Sequence, residues 1–124
     1  MNKLDAFCLA IQEYEGWRPG TRAYRNCNPG NLRFSPMQDH NEDGYACFNT
    51  FAQGWAALLY DVRSKATGHT RTGLGPGSTI EDFFRVYAPA EDKNHPLDYA
   101  DFVARRAGLQ ITDTLDTLLD GGTA

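Results

Sequence analysis

Apolar residues recur at three- and four-residue spacing in stretch after stretch of this chain, and a glycine or proline closes most of them. That period lines one face of an α-helix, so the pattern predicts several short helices packed around a shared core. The first runs from Leu4 to Glu15, with Leu4, Phe7, Cys8, Ile11 and Tyr14 on its buried side and Gly16 as its stop. The longest opens at Thr50, with Gln53 as capping-box partner, and turns Phe51, Trp55, Leu58, Leu59, Val62 and Ala66 to one face. Another starts at Ser78, with Glu81 three residues on; it carries Ile80, Phe83, Phe84 and Tyr87 and ends at Pro89. Pro96 suits the first turn of the next, which bears Tyr99, Phe102 and Val103 and is capped by Gly108. A short last helix is expected over 114–119, before a frayed tail at 120–124. Between the first two helices, "NLRFS" (31–35) and "GYACFN" (44–49) flank a polar stretch and read as a small β-hairpin with a long tip. The expected fold class is therefore mainly α (α+β), a helical domain with one small β-hairpin inserted after the first helix. With 124 residues, the chain suits one domain over 1–124.

Bulk properties narrow the function classes. Net charge is −4, and the basic residues are interspersed with acidic ones, which argues against a nucleic-acid footprint. No apolar run approaches the roughly 20 residues that span a bilayer, and the N-terminal stretch lacks a leader's cleavage site. The expectation is a monomer made in the cytoplasm without a signal peptide and not inserted in a membrane. Cys8, Cys27 and Cys47 lack the paired close spacing of a zinc site, and His40, His69 and His95 lie in polar loops, so neither metal nor cofactor is expected. Cys8 falls on a helical stripe and reads as a buried thiol. Cys27 and Cys47 could pair in an oxidising compartment, although spacing alone does not fix connectivity.

The chemistry is concentrated in "EYEGWRPGTRAYRNCNPGNLRF", residues 13–34, where an acidic helix end runs into a loop crowded with Asn, Gly, Pro and Arg. At about 100° per residue, Glu15 continues the apolar stripe through Ile11 and Cys8, whereas Glu13 points to solvent. An inward carboxylate at the C-terminal turn of a helix is desolvated and opposed by the helix dipole. Both effects favour its neutral form and suit it to general-acid work. Geometry alone favours the plainer reading, a helix-end residue paired with Arg18, Arg22, Arg25 or Arg33.

Four stretches tip the balance: "EGW" (15–17), "RNCNPGNLRF" (25–34), "FNTFAQGWAALL" (48–59) and "YAPAEDKN" (87–94). In this order, over roughly Ile11 to Gly108, the chain resembles small peptidoglycan glycosidases of phages, prophages and bacterial secretion systems. These belong with the lysozyme-like goose-type lysozymes, lytic transglycosylases and N-acetylglucosaminidases. The resemblance implies a lysozyme-like helical fold, Glu15 as the catalytic acid, and bacteriolytic cleavage of β-1,4 bonds between MurNAc and GlcNAc in murein. It leaves open a lytic transglycosylase forming anhydro-MurNAc ends, or an inactive wall-binding or virion module. It also implies action in the periplasm or cell wall of a host or target bacterium, by phage lysis or as a secreted toxin effector. An immunity or inhibitor protein would be the partner in the second case.

Asn28, Asn31 and Arg33 could line a groove and bind sugar amides and hydroxyls, with Gly30 letting the backbone approach; Asn28-Pro29-Gly30 could equally be a self-capped turn. Trp17 could stack on a sugar face or staple the helix end, while Trp55 reads as core. Tyr87 resembles the groove tyrosine of lytic transglycosylases, although as the last apolar position of its helix it also suits the core. Glycosidases usually need a second carboxylate, and Asp39, Glu42 and Asp43 on the hairpin tip, with Asp43 foremost, are the residues on offer. Where this chain has Cys27 and Cys47, the resembling proteins often have Asn and a small or apolar residue. The paired departure points to a Cys27–Cys47 bridge.

Overall fold

The computed structural model describes residues 1–119 and is mainly helical, with one two-stranded antiparallel hairpin. Helix α1 spans Lys3–Tyr14, with Asn2 as its cap accepting from the Asp5 N–H at 2.7 Å. A four-residue helix α2, Arg22–Arg25, stands where only turns were expected; it is too short to show a hydrophobic period and is set by its Thr21 cap. Strands β1, His40–Glu42, and β2, Tyr45–Cys47, follow, then α3, Phe51–Ala66, with its Thr50–Gln53 capping box in place.

Helix α4, Ile80–Tyr87, is capped by Thr79 with Asp82, one residue later than the Ser78–Glu81 box expected from sequence. Its N-terminus is fixed from outside, because Ile80 N–H donates to the Asp113 carbonyl and Leu115 N–H donates to that of Ser78. Helix α5, Pro96–Arg106, has its proline at the start, and Gly108 sits just beyond it at φ 72°. The last expected helix is a 3₁₀ turn over Leu115–Leu119, and the expected frayed tail lies outside the described residues.

The hairpin differs from expectation in its first strand. Residues 31–35 are irregular, and β1 lies nine residues later, paired His40 to Cys47 and Glu42 to Tyr45. The reason is local. Asp43 and Gly44 both take positive φ, 54° and 82°, the conformation of a two-residue type I′ turn, and that turn fixes which residues can pair.

The core joins α1, α3, α4 and α5. Phe7 of α1 meets Phe83 and Phe84 of α4 at ring-centroid distances of 5.3 and 5.7 Å, while α5 packs on both helices through Tyr99, Ala100, Val103 and Ala104. Each such large side chain, fully buried, contributes about 1.5–3 kcal/mol. A second, smaller cluster of Leu32, Ala46, Phe48 and Ala57 seats the loop and hairpin on α3. Gly54 makes that seat possible, because a Cβ there would overlap the Cys27 carbonyl. No helix among the described residues is long and apolar enough to cross a membrane.

Candidate active site

Glu15 caps the C-terminal end of α1 with near-helical angles, φ −73° and ψ −2°, so it keeps the direction of the apolar stripe. It forms no ion pair with any of the four nearby arginines among the described residues; Glu13, one face away, pairs with Arg106 instead. The Glu15 carboxylate turns toward α5, where the Tyr99 hydroxyl donates to its Oε2 at 2.7 Å. Rings close the space around it: Tyr14 stacks on Tyr99 at 3.9 Å, and Tyr99 stacks on Phe84 at 4.5 Å. Burial therefore pushes the Glu15 carboxyl above the usual carboxylate range, while hydrogen bonds from Tyr99 and the Asn31 side chain pull partly back.

The same carboxylate opens onto a cleft of about 260 Å³. Its walls come from the 30–34 loop, Tyr45 of β2, Asp61 and Lys65 of α3, the Val86–Pro89 end of α4, and Asp92 and Asn94 in the link to α5. Gly30 is where two walls meet. Its carbonyl accepts from the Tyr87 hydroxyl at 2.6 Å, and a Cβ there would lie 2.7 Å from both that hydroxyl and Leu58 Cδ1. Asn31, held at φ 48°, faces the cleft, and its Oδ1 is buried with no partner among the described residues. Arg33 reaches the rim with its guanidinium 4.8 Å from the Tyr45 ring centroid.

The cleft thus gathers Glu15, Asn31, Arg33 and Tyr87, and leaves out other residues proposed from sequence. Asn28 is buried at 0% exposure and fully used. Its Nδ2 donates to the carbonyls of Leu32 and Ala46, and its Oδ1 accepts from the Leu32 N–H, each at 2.9 Å. It is a clip between loop and strand, not a sugar ligand. Trp17 does not line the cleft; it packs with Tyr24 and Phe51 at 5.1 and 5.3 Å, in a separate aromatic cluster that Trp55 extends. Asp43 in the hairpin turn, Glu42 at the end of β1 and Asp39 just before β1 are all exposed and outside the cleft, and Asp39 accepts from the Asn49 N–H at 2.7 Å.

Cys27 and Cys47 are free thiols, not a disulfide. Cys27 packs against the Leu32–Phe48 cluster. Cys47 directs its Sγ along the hairpin, 3.8 Å from the Tyr45 carbonyl and 3.9 Å from Glu42 Oε2. Cys8 is buried, as its stripe position implied, and burial raises its thiol far above the ordinary range.

Sequence reasoning missed two features of the cleft. Tyr99 read as an apolar helix position, although a tyrosine inside a core carries a hydroxyl that must find a partner. The Asp61–Lys65 ion pair, 2.7 Å across one turn of α3, also lines the cleft, with the Lys65 side chain only 13% exposed and its Nζ 5.0 Å from the Tyr87 ring centroid. Two charged residues at helical spacing beside Leu58 and Val62 were the available signal. Taken together, the arrangement offers a shielded proton donor, an unpaired amide oxygen and a half-buried cation in one groove. Comparisons with known protein families, with characterised proteins and with solved structures find no match for this chain.

Proposed function

We propose that this chain is a glycosidase of bacterial peptidoglycan that hydrolyses β-1,4 bonds between MurNAc and GlcNAc, with Glu15 as general acid. The observation that carries the reading is the Glu15 carboxyl itself. It is desolvated enough to hold its proton above the usual carboxylate range, yet it lies on the wall of a groove. Glu15 gives its proton to the glycosidic oxygen as the C1–O bond breaks, and positive charge develops at the anomeric carbon. The Tyr99 hydroxyl then steadies the Glu15 carboxylate that is left. Arg33 and the cleft-lining Asn31 hold polar groups of the sugar.

Asp61 and Asp92 replace Asp43 as the carboxylates to consider in the cleft; Asp92 lies in the exposed link before α5, while Lys65 engages Asp61 of α3 at 2.7 Å. That engagement favours capture of the sugar cation by the substrate's own acetamido oxygen. Water then releases a hydrolysed end, or the sugar's own hydroxyl closes an anhydro end, which is the lytic-transglycosylase outcome. An enzyme of this kind acts in the periplasm or wall of a host or target cell, and an inhibitor protein would work by plugging the groove.

The test is murein zymography of wild type and Glu15→Gln, with mass spectrometry of the released fragments. Wild type is expected to clear the gel, and the variant to lose about 10²–10⁴-fold in rate. No clearing by wild type, or equal clearing by the variant, overturns the proposal and leaves the wall-binding module. The fragment ends identify the bond cut.

A further inference from the structure

Three side chains that the cleft does not use meet on one face of the hairpin. His40 of β1 is the direct cross-strand partner of Cys47 on β2, and Glu42, two residues along β1, projects to the same face as His40. Their nitrogen, oxygen and sulfur atoms all lie within 4.8 Å of one another. His40 Nε2 is 3.6 Å from Glu42 Oε2, and Glu42 Oε2 is 3.9 Å from Cys47 Sγ.

The geometry points to a zinc site made by His40, Glu42 and Cys47, with water in the fourth position. Zinc–ligand bonds of about 2.0–2.3 Å at tetrahedral angles set neighbouring ligand atoms roughly 3.3–3.8 Å apart. Two of the separations here are already at or next to that range, and the third has to close by about 1 Å. His40 can supply the movement because its side chain is 62% exposed and held by no packing partner in the core, whereas Cys47 is 4% exposed and fixed by the strand. A thiolate, an imidazole and a carboxylate together select a borderline ion such as Zn²⁺ over Ca²⁺ or Mg²⁺, which favour all-oxygen sets. Thiolate and carboxylate offset the ion's two charges.

The contacts gain little without a metal. An exposed His–Glu pair adds little to stability, and a thiol is a weak donor. A metal, by contrast, would clasp two three-residue strands that are marginal as a hairpin alone. Tyr45, the cross-strand partner of Glu42 and two residues before Cys47 on β2, lines the cleft, so the clasp would also stiffen one of its walls.

The test is titration of the reduced, full-length protein with Co²⁺, followed by displacement with Zn²⁺. Wild type is expected to bind one Co²⁺ with a thiolate-to-cobalt charge-transfer band that zinc abolishes. Cys47→Ser should lose the band, and Cys27→Ser should keep it. His40→Ala and Glu42→Gln, both at exposed positions, should weaken binding by at least the roughly 10–100-fold that loss of an outer-sphere partner costs. The site is refuted if millimolar cobalt gives wild type no such band, if Cys27→Ser rather than Cys47→Ser removes it, or if His40→Ala and Glu42→Gln bind as wild type does.

Discussion

Truncating Asn28 to alanine separates a structural clip from a sugar ligand, two roles that its sequence context allows equally. The side chain makes three buried hydrogen bonds, to the Leu32 carbonyl, the Ala46 carbonyl and the Leu32 N–H. Such bonds contribute about 1 kcal/mol each, and a buried donor left unpaired costs about 1–3 kcal/mol more. The Leu32 carbonyl keeps a partner in the Ala46 N–H, so the new penalty falls on the Leu32 N–H and the Ala46 carbonyl. The expected loss is at least about 4 kcal/mol, a fall in Tm of roughly 15 °C or more for a chain of this size. Urea denaturation and calorimetry read it directly. Asn28→Asp should be worse than alanine near neutral pH, since an ionised carboxylate would face two carbonyl oxygens. It should recover as acid protonates that carboxyl and restores one donor. A loss in Asn28→Ala of less than about 1 kcal/mol, together with a raised KM on murein, would show that the side chain serves the sugar and that this reasoning is wrong.

Two further outcomes follow from the environment of Glu15. Tyr99 donates to the carboxylate and so favours its charged form; in Tyr99→Phe the Glu15 carboxyl should hold its proton to still higher pH, moving the basic limb of the pH–rate profile upward, whereas a limb that moves down contradicts the assignment. Glu15→Gln should show the cost of the acid to the fold. Burial raises the carboxyl above its ordinary 4.5, so the stability of the folded state is intact below that value and declines as pH climbs through the raised one. The amide is uncharged throughout, and the variant should match wild type in acid and exceed it in urea midpoint near neutrality; a less stable variant at neutral pH argues against a desolvated Glu15.

What could be read from sequence was what depends on neighbours along the chain. The three- and four-residue spacing placed α1 and α3, Thr50 and Pro96 marked helix starts, and the angle from Ile11 to Glu15 chose between two glutamates. The hairpin was misplaced because Asp43-Gly44, itself a strong turn signal, was divided between a polar tip and the following strand. Asn28 was undecidable because its partners lie four and eighteen residues away, and only the fold says whether its amide meets backbone or solvent. The same limit hid the hairpin cluster: no local motif joins His40, Glu42 and Cys47, whose meeting depends on strand register. Cys27 shows the converse. Its φ of 51° is a left-handed position that Asn tolerates well, so the Asn often found there in the resembling proteins has a backbone reason independent of any disulfide.

The acid's proton is set from the core outward. Glu15 ends a helix whose dipole opposes its charge, and rings that α5 brings against α1 lie beside it. Tyr99 is one of those rings, and it also contacts Phe84, which stacks on Phe7 in the centre of the core. A chain of packed aromatics therefore runs from the most buried side chains to the reacting group. The position of α5 is in turn fixed by Ala100, Val103 and Ala104, small or β-branched residues that allow close approach to α1 and α4. Enlarging one of them would push Tyr99 outward and admit water beside Glu15. The carboxyl would then lose its proton at lower pH without any change in the residues that line the cleft. Tuning of this carboxyl is thus a property of helix packing, whereas the shape of the cleft depends on the loop and hairpin walls, and the two can change separately.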